Sequence, residues 1–320
     1  MNKKTLLTFL LVFLFILANV AGCSPKSEVK TNQTTLKIGT MPLEDNLPIL
    51  IAEKNGYFAQ ENLKVDLTPF QSPVELQSAF QSGQLDGMVT DMLIAAMLKS
   101  SGEDLRISSL TLGATPEEGR FAIVASPKSN IKTVPDLKGK SIGISSNSII
   151  EYVTDGLLTA GGVKPSEVNK TTVAKLPVRV EMLLNNQIDA ITVPDPQITY
   201  TVAKGAKIIA EDTKGDNLSQ AVIIMRGKSL NEKKDAVKGF YKAYAKAVDD
   251  INKSPEQFKD LLVKDANIPA DIAANYRIQH YSKPQLPAEK EVNSVLKWLK
   301  DKNLLKSEVT YDSFIVKDLY

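Results

Sequence analysis

Cysteine and histidine are nearly missing from this chain of 320 residues: it has one of each, Cys23 and His280. A single cysteine excludes a disulfide within the chain. One cysteine and one histidine also exclude a zinc site built from those ligands. Catalysis by a Ser–His or Cys–His pair would rest on one late histidine with no nucleophile motif beside it. Excess charge is lacking too, since 39 Lys and Arg face 37 Asp and Glu for a net charge of +2. The two signs are interspersed, as in "NEKKDAVKGFYKAYAKAVDD". Nucleic-acid binders carry a clustered basic stripe instead, so no nucleic-acid partner is expected. With no phosphate loop, metal cluster or nucleophile–base pair, the sequence predicts no metal, no cofactor and no enzyme activity.

What is present begins with an address. Lys3 and Lys4 precede the apolar run "LLTFLLVFLFILANVAG", the pattern of a signal peptide; an uncleaved membrane helix is the other reading of such a run. Val20-Ala21-Gly22-Cys23 resembles the bacterial lipoprotein signal, in which cleavage falls before a cysteine that receives lipid. The expected order is therefore a signal peptide over residues 1–22 and a lipid anchor on Cys23. A flexible tether, "SPKSEVKTNQTT", runs to residue 35. Everything after Thr35 is expected to fold outside the cytoplasm.

Strand and helix patterns then alternate. "LKIGT" reads as a strand, and "LPILIAEKNGYF" (Leu47–Phe58) as a helix stopped by Asn55-Gly56. "KVDLTPF" is a strand, "PVELQSAFQSG" a helix, "LDGMVT" a strand and "DMLIAAMLKSSG" a helix with Asp91 as N-cap. "LRISSLTLG" closes this series. A second series contains the strand Ser141–Ser145, the helix "SNSIIEYVTDGLLTAGG", the helix "LPVRVEMLLNN", the strand "QIDAITV", and the helix "DPQITYTVAKG" with Asp195 as N-cap and Pro196 at its first position. "AKIIAED" and "LSQAVIIM" are strands. Helical stripes follow at Val237, Phe240, Tyr241, Tyr244 and Val248, and at Val292, Val295, Leu296 and Leu299. The alternation predicts mostly parallel sheets with helices on their faces. "SGQLDGMVTD" (Ser82–Asp91) and "NNQIDAITVPD" (Asn185–Asp195) read as the same helix–loop–strand–helix unit written twice, once in each of two lobes.

The segments "LPILIAEKNGYFAQENLKVDL", "SGQLDGMVTD", "VPDLKGKSIGIS" and "QIDAITVPDPQ" together resemble a type II periplasmic binding protein. They are similar to the substrate-binding lipoproteins of the nitrate, sulfonate, taurine and thiamin-precursor importers. The resemblance spans roughly Leu36 to Ile251. It implies an α/β fold of two doubly wound lobes with a ligand cleft between them and a two-segment hinge near Ala122–Ser126 and Asp212–Ala221. Lobe I would comprise 36–124 plus 220–320, and lobe II 125–219. The implied activity is capture of a small polar molecule by lobe closure and its delivery to the permease and ATPase of an ABC importer. The protein would act as a monomer, lipid-anchored on the outer face of the cytoplasmic membrane or on the periplasmic side. Some relatives on this scaffold make the thiamin pyrimidine with histidine and iron chemistry, for which one late histidine is poor material. A sensory lipoprotein without transport is the remaining alternative.

Four loops should face the cleft. They are Met41, Glu44, Asp45 and Asn46 after the first strand; Thr90 and Asp91; Ser145, Ser146, Asn147 and Ser148; and Pro194–Pro196 around Asp195. The serine-rich loop offers hydroxyls and free N–H groups at a helix N-terminus, suited to a carboxylate, sulfonate or phosphate; helix capping is its other role. Glu151 lies on the first turn of that helix, where the dipole favours an acid. The acids together point to a ligand with an amine. Arg120 and Arg179 are either anion clamps or inter-element pairs. Tyr152 could stack on a ring, while His280 and Trp298 read as packing or surface. Candidate ligands are a sulfonate, nitrate, a zwitterion or an amine-bearing heterocycle.

Overall fold

The computed structural model describes residues 33–215 and 217–320. The expected signal peptide, Cys23 and nearly all of the tether lie outside the described residues. β1 (Thr34–Thr40) buries Leu36 and Ile38 on alternate positions and pairs in parallel with β2 (Leu63–Pro69) and β3 (Gly87–Asp91). The helix expected over 47–58 is two helices, α1 (Leu47–Lys54) and α2 (Tyr57–Gln60). Gly56 between them has φ +70°, a left-handed conformation open to glycine, so the chain turns there instead of continuing. α3 (Pro73–Gln81) is capped by Ser72, and α4 (Met92–Ser100) by Asp91, whose Oδ1 accepts the Ile94 N–H at 2.8 Å.

β4 (Leu105–Leu112) ends the first series, and the chain crosses over residues 113–120 to β5 (Phe121–Ala125). β5 pairs with β8 (Ala190–Pro194) and β9 (Lys207–Glu211), so it is a strand of the second sheet. The hinge expected at Ala122–Ser126, and the lobe boundary at 124/125, therefore move toward the N-terminus, into 113–120. β6 (Ser141–Ile144) leads into α5 (Ile149–Ala160), and β7 (Asn169–Thr172) into α6 (Leu176–Leu184). β7, where the sequence pattern predicts no element, is an edge strand parallel to β6. α7 runs Gln197–Ala203, one residue later than expected, with Pro196 in the cap position. The second crossing, 212–220, joins β9 to β10 (Ala221–Arg226) in the first sheet.

The two sheets have the orders β2-β1-β3-β10-β4 and β7-β6-β8-β5-β9. Both follow one plan: second, first and third strand of the series, then the strand that arrives from the other lobe, then the last. The sheets are mostly parallel, as expected, but each is made mixed by one strand that opposes the other four. β10 is antiparallel to β3 and β4, and β5 to β8 and β9. The cause is geometric. An arriving strand enters from the crossing, at the C-terminal ends of the parallel strands, and has to run away from it.

Three short helices follow α8 (Gly227–Glu232) and the long α9 (Lys234–Lys253): α10 (Lys259–Asp265), α11 (Ala270–Ala273) and, after α12 (Glu289–Asp301), α13 (Tyr311–Phe314). The predicted stripe of α9 is buried on the first lobe, where Phe240 stacks on Phe58 with centroids 5.4 Å apart. The stripe of α12 packs against α4, and its far side meets α5 of the second lobe. There Trp298 Nε1 donates to Asp155 Oδ2 at 3.1 Å and Tyr152 meets the Trp298 ring edge-on.

Candidate ligand site between the lobes

A cavity of about 290 Å³ lies where the C-terminal ends of β1, β3, β6 and β8 converge, the usual place for ligands in open α/β sheets. Of the residues predicted from sequence, Met41, Glu44, Asp45, Thr90, Asp91, Ser145 and Asp195 line it. Asn46, Ser146, Asn147, Ser148 and Glu151 are not among the lining residues.

Each of these five has a structural task instead. Asn46 is buried and pins the loop after β1, bonding Thr40 Oγ1 and the Met41 carbonyl. Ser146 Oγ pairs with Thr172 Oγ1 at 2.6 Å, tying the loop to β7. Asn147 takes the left-handed turn at φ +57° that brings the chain into α5. Ser148 is the cap: its Oγ accepts from Ile150 N at 3.2 Å and donates to Ser145 O at 2.6 Å. Glu151 accepts from Asn147 N at 2.7 Å and pairs with Lys170 at 3.1 Å and Lys302 at 2.5 Å. Burial opposes its charge, yet the Lys302, Asn147 and Lys170 bonds hold this carboxyl below the usual range. Tyr152 likewise packs on Trp298 and does not line the cavity.

The first-lobe wall is acidic. Glu44 accepts from Tyr276 OH at 2.7 Å and from Gln279 Nε2 at 2.5 Å. Burial, then Asp195 and Asp45 nearby, push its carboxyl up to about 8 against those two bonds. Burial and then Asp265 raise Asp45 to about 7. Burial raises Asp91 to about 6 despite the amides it caps. Sequence reasoning missed Tyr276 and Gln279, which come from the irregular stretch between α11 and α12.

The second-lobe wall carries the two arginines. Arg120, from the first crossing, is an inter-element pair: its Nε meets Asp195 Oδ2 at 2.6 Å and its Nη2 donates to Thr199 Oγ1 at 3.2 Å. Asp195 also accepts the Thr199 N–H at 3.0 Å, so it caps α7 from one residue before the cap position. Arg179, on α6, is 2% exposed. Its Nη1 donates to Ser145 Oγ at 2.9 Å and to Val173 O at 3.0 Å. Among the described residues it has no carboxylate partner, and its Nε has no hydrogen-bond partner. Burial alone lowers its pKa to about 10. Room for its stem comes from Gly143 of β6, where an added Cβ would stand 3.3 Å from Arg179 Cγ.

This arrangement of paired sheets, two crossings and an interlobe cavity can be set beside known proteins. Residues 44–258, well over half of the chain, match the profile of the family described as NMT1/THI5 like. The chain belongs to the NMT1/THI5-like family. It is 25% identical over 80% of its length to a putative ABC transporter periplasmic binding protein of Brachyspira hyodysenteriae, covering 76% of that protein. A putative aliphatic sulfonates-binding protein of Bacillus subtilis is 23% identical, over 83% of this chain and 82% of that one. The crystal structure of the periplasmic aliphatic sulphonate binding protein of Escherichia coli superposes with a TM-score of 0.71 at 18% identity, covering 88% of this chain and 92% of that one. The fold is that of the periplasmic binding proteins, two α/β lobes with a cleft between them.

Proposed function

We propose that this protein is the extracytoplasmic solute-binding component of an ABC importer. It captures a small molecule bearing an oxyanion in the interlobe cavity and hands it, chemically unchanged, to a permease driven by its ATPase. The observation that carries the reading is Arg179. A guanidinium removed from water without a carboxylate is unfavourable, and a planar fork on a cavity wall suits a sulfonate, carboxylate or nitrate. The relatives that bind aliphatic sulfonates support an oxyanion. Because the ligand would touch both lobes, it would favour the closed state over the open one. The sequence expectation that Cys23 carries lipid belongs to the same proposal: the receptor would then stay beside its permease on the outer face of the membrane.

Melting curves with nitrate, short alkanesulfonates and carboxylates test the capture reading. A ligand at a hundred times its Kd should add about 2.7 kcal/mol of apparent stability. Arg179→Gln should abolish the shift while the unliganded protein stays folded. An undiminished shift in that variant would remove Arg179 from the site. Fractionation of cells carrying Cys23→Ala tests the anchor: release from the membrane is expected, and firm retention would count against lipidation.

A further inference from the structure

This inference rests on the solute-capture reading and concerns the end of the ligand that Arg179 does not hold. Four carboxyl groups line the cavity, Glu44, Asp45, Asp91 and Asp195, with two guanidinium groups, Arg120 and Arg179. One pair closes on itself, Arg120 with Asp195 at 2.6 Å. What is left is segregated by lobe. Three carboxyls belong to the first lobe, in the loop after β1 and at the end of β3, and the single guanidinium belongs to the second. Among the described residues, no cation is among the groups that shift Glu44, Asp45 or Asp91, and the charges that raise Glu44 and Asp45 are those of other acids.

Two buried polar atoms of opposite character are left over in this cavity wall. Asp45 is 7% exposed, and its Oδ1 has no hydrogen-bond partner among the described residues. Arg179 Nε is the other. A buried polar atom without a partner is costly, and for a charged group far more so. The acids cannot easily swing away. Asn46 bonds to Thr40 and Met41 hold the loop, and Tyr281 OH donates to the Glu44 carbonyl at 2.7 Å. The cavity lining also includes the apolar side chains of Leu76, Ile94, Phe121 and Ile150.

We infer that the ligand is amphoteric. Its ammonium or protonated amine docks against Asp45 and Glu44 in the first lobe, and its oxyanion on Arg179 in the second, with a short apolar body between them. Asp45 is then the residue that selects an amine-bearing oxyanion over a plain one. At about 290 Å³ the cavity stands at the small end of ligand sites, which run from roughly 300 Å³ upward, so the body is short.

Paired probes that differ only in the amine test this by calorimetric titration. They are 2-aminoethanesulfonate against ethanesulfonate, and 3-aminopropanoate against propanoate. The wild-type protein should bind at least one amine-bearing member at least tenfold more tightly than its partner. Asp45→Asn, nearly isosteric and checked for folding by its melt, should lose that preference. It should weaken the amine-bearing probe about tenfold and move the plain anion by less than twofold. Equal affinity within both pairs in the wild type overturns the inference, and this arm needs no variant. So does an equal loss for both members in Asp45→Asn. Binding of the plain anions that Arg179→Gln abolishes, with no gain from the amine, would sink the amphoteric ligand and leave the capture reading standing. Failure of every probe to bind overturns both.

Discussion

Asp86 and Asp189 hold the same station in the two sheets. Each stands just before the third strand of its series and accepts a backbone N–H of the first strand, one residue ahead of the ladder between those two strands: Lys37 N at 2.9 Å for Asp86, Ser141 N at 2.8 Å for Asp189. Each also offers its own carbonyl to the far end of the antiparallel strand, to Arg226 N and Ser126 N, both at 2.9 Å. The twice-written segment is thus a strand-registration device. Its aspartate satisfies an amide at the end of the ladder, where no strand carbonyl is available.

The two aspartates should not weigh equally. Asp86 also accepts from Ser229 at 2.7 Å and from Lys233 at 2.8 Å, whereas Asp189 adds only the Ser141 hydroxyl at 2.7 Å. Asp86→Ala should cost about 3 kcal/mol, since it strands a half-buried ammonium. Asp189→Ala should cost about 1–2 kcal/mol. Urea unfolding of both variants checks the order. Against the burial that opposes them, hydrogen bonds hold both carboxyls below their usual range. Their stabilisation is therefore present above the ordinary carboxylate range, near pH 4, and is lost as pH falls through their lowered values.

The cleft acids act in the opposite sense. Glu44, Asp45 and Asp91 have folded values of about 8, 7 and 6, against about 4 in the unfolded chain. The folded protein binds these protons more tightly, so their contribution is full below about pH 4 and is lost as pH rises through 6 to 8. Unliganded protein should melt lower at pH 8 than at pH 5.5. Glu44→Gln removes one of these groups from among Asp45, Asp195, Tyr276 and Gln279, and should flatten the upper part of that slope. A variant slope identical to the parent's would show that Glu44 does not titrate there.

Ser145 and Ser148, three residues apart, should separate binding from stability. Ser148 caps α5, so Ser148→Ala should lower unfolding stability by about 1 kcal/mol and leave ligand affinity nearly unchanged. Ser145 holds the guanidinium of Arg179. Ser145→Ala should weaken oxyanion binding by about 0.5–1.5 kcal/mol. Titration and melting of the two variants, side by side, give the test.

Gly113 begins the first crossing at φ +89°, and an added Cβ would stand 2.8 Å from Asn217 Oδ1 and 3.0 Å from Gln220 Cα. Gly113→Ala should therefore cost about 1–3 kcal/mol. It should also loosen the contact between the two crossings, visible as faster hydrogen exchange at 113–120 and 217–220.

The legible parts of this molecule are those with a period. The strands of β1 and β3, the stripes of α9 and α12, and the doubled aspartate unit were written in apolar spacing. β7 was not, because "NKTT" on a sheet edge buries almost nothing and so shows no alternation. The paired arginines divided in the same way. Arg120 was read as an inter-element pair or a clamp, and it is the pair. Arg179 was read with the same two alternatives, and it has no carboxylate partner among the described residues. What buries it is the missing Cβ of Gly143, which is remote in sequence. Tyr276 and Gln279 gave no signal because their segment is irregular, and their partner, Glu44, lies more than two hundred residues earlier.

The two chain crossings are fastened to each other by side-chain amides. Asn217 Nδ2 donates to the Glu118 carbonyl at 2.7 Å, and Gln220 Nε2 donates to the Gly113 carbonyl at 3.1 Å. Two separate linkers would let the lobes twist, slide and bend independently. Stapled together, they should move as one strap, which would restrict how the lobes turn against each other. On the solute-capture reading, most excursions of an open form would then lie on the path to a closed one, and a small molecule would have little orientational disorder to overcome in bringing the two walls together.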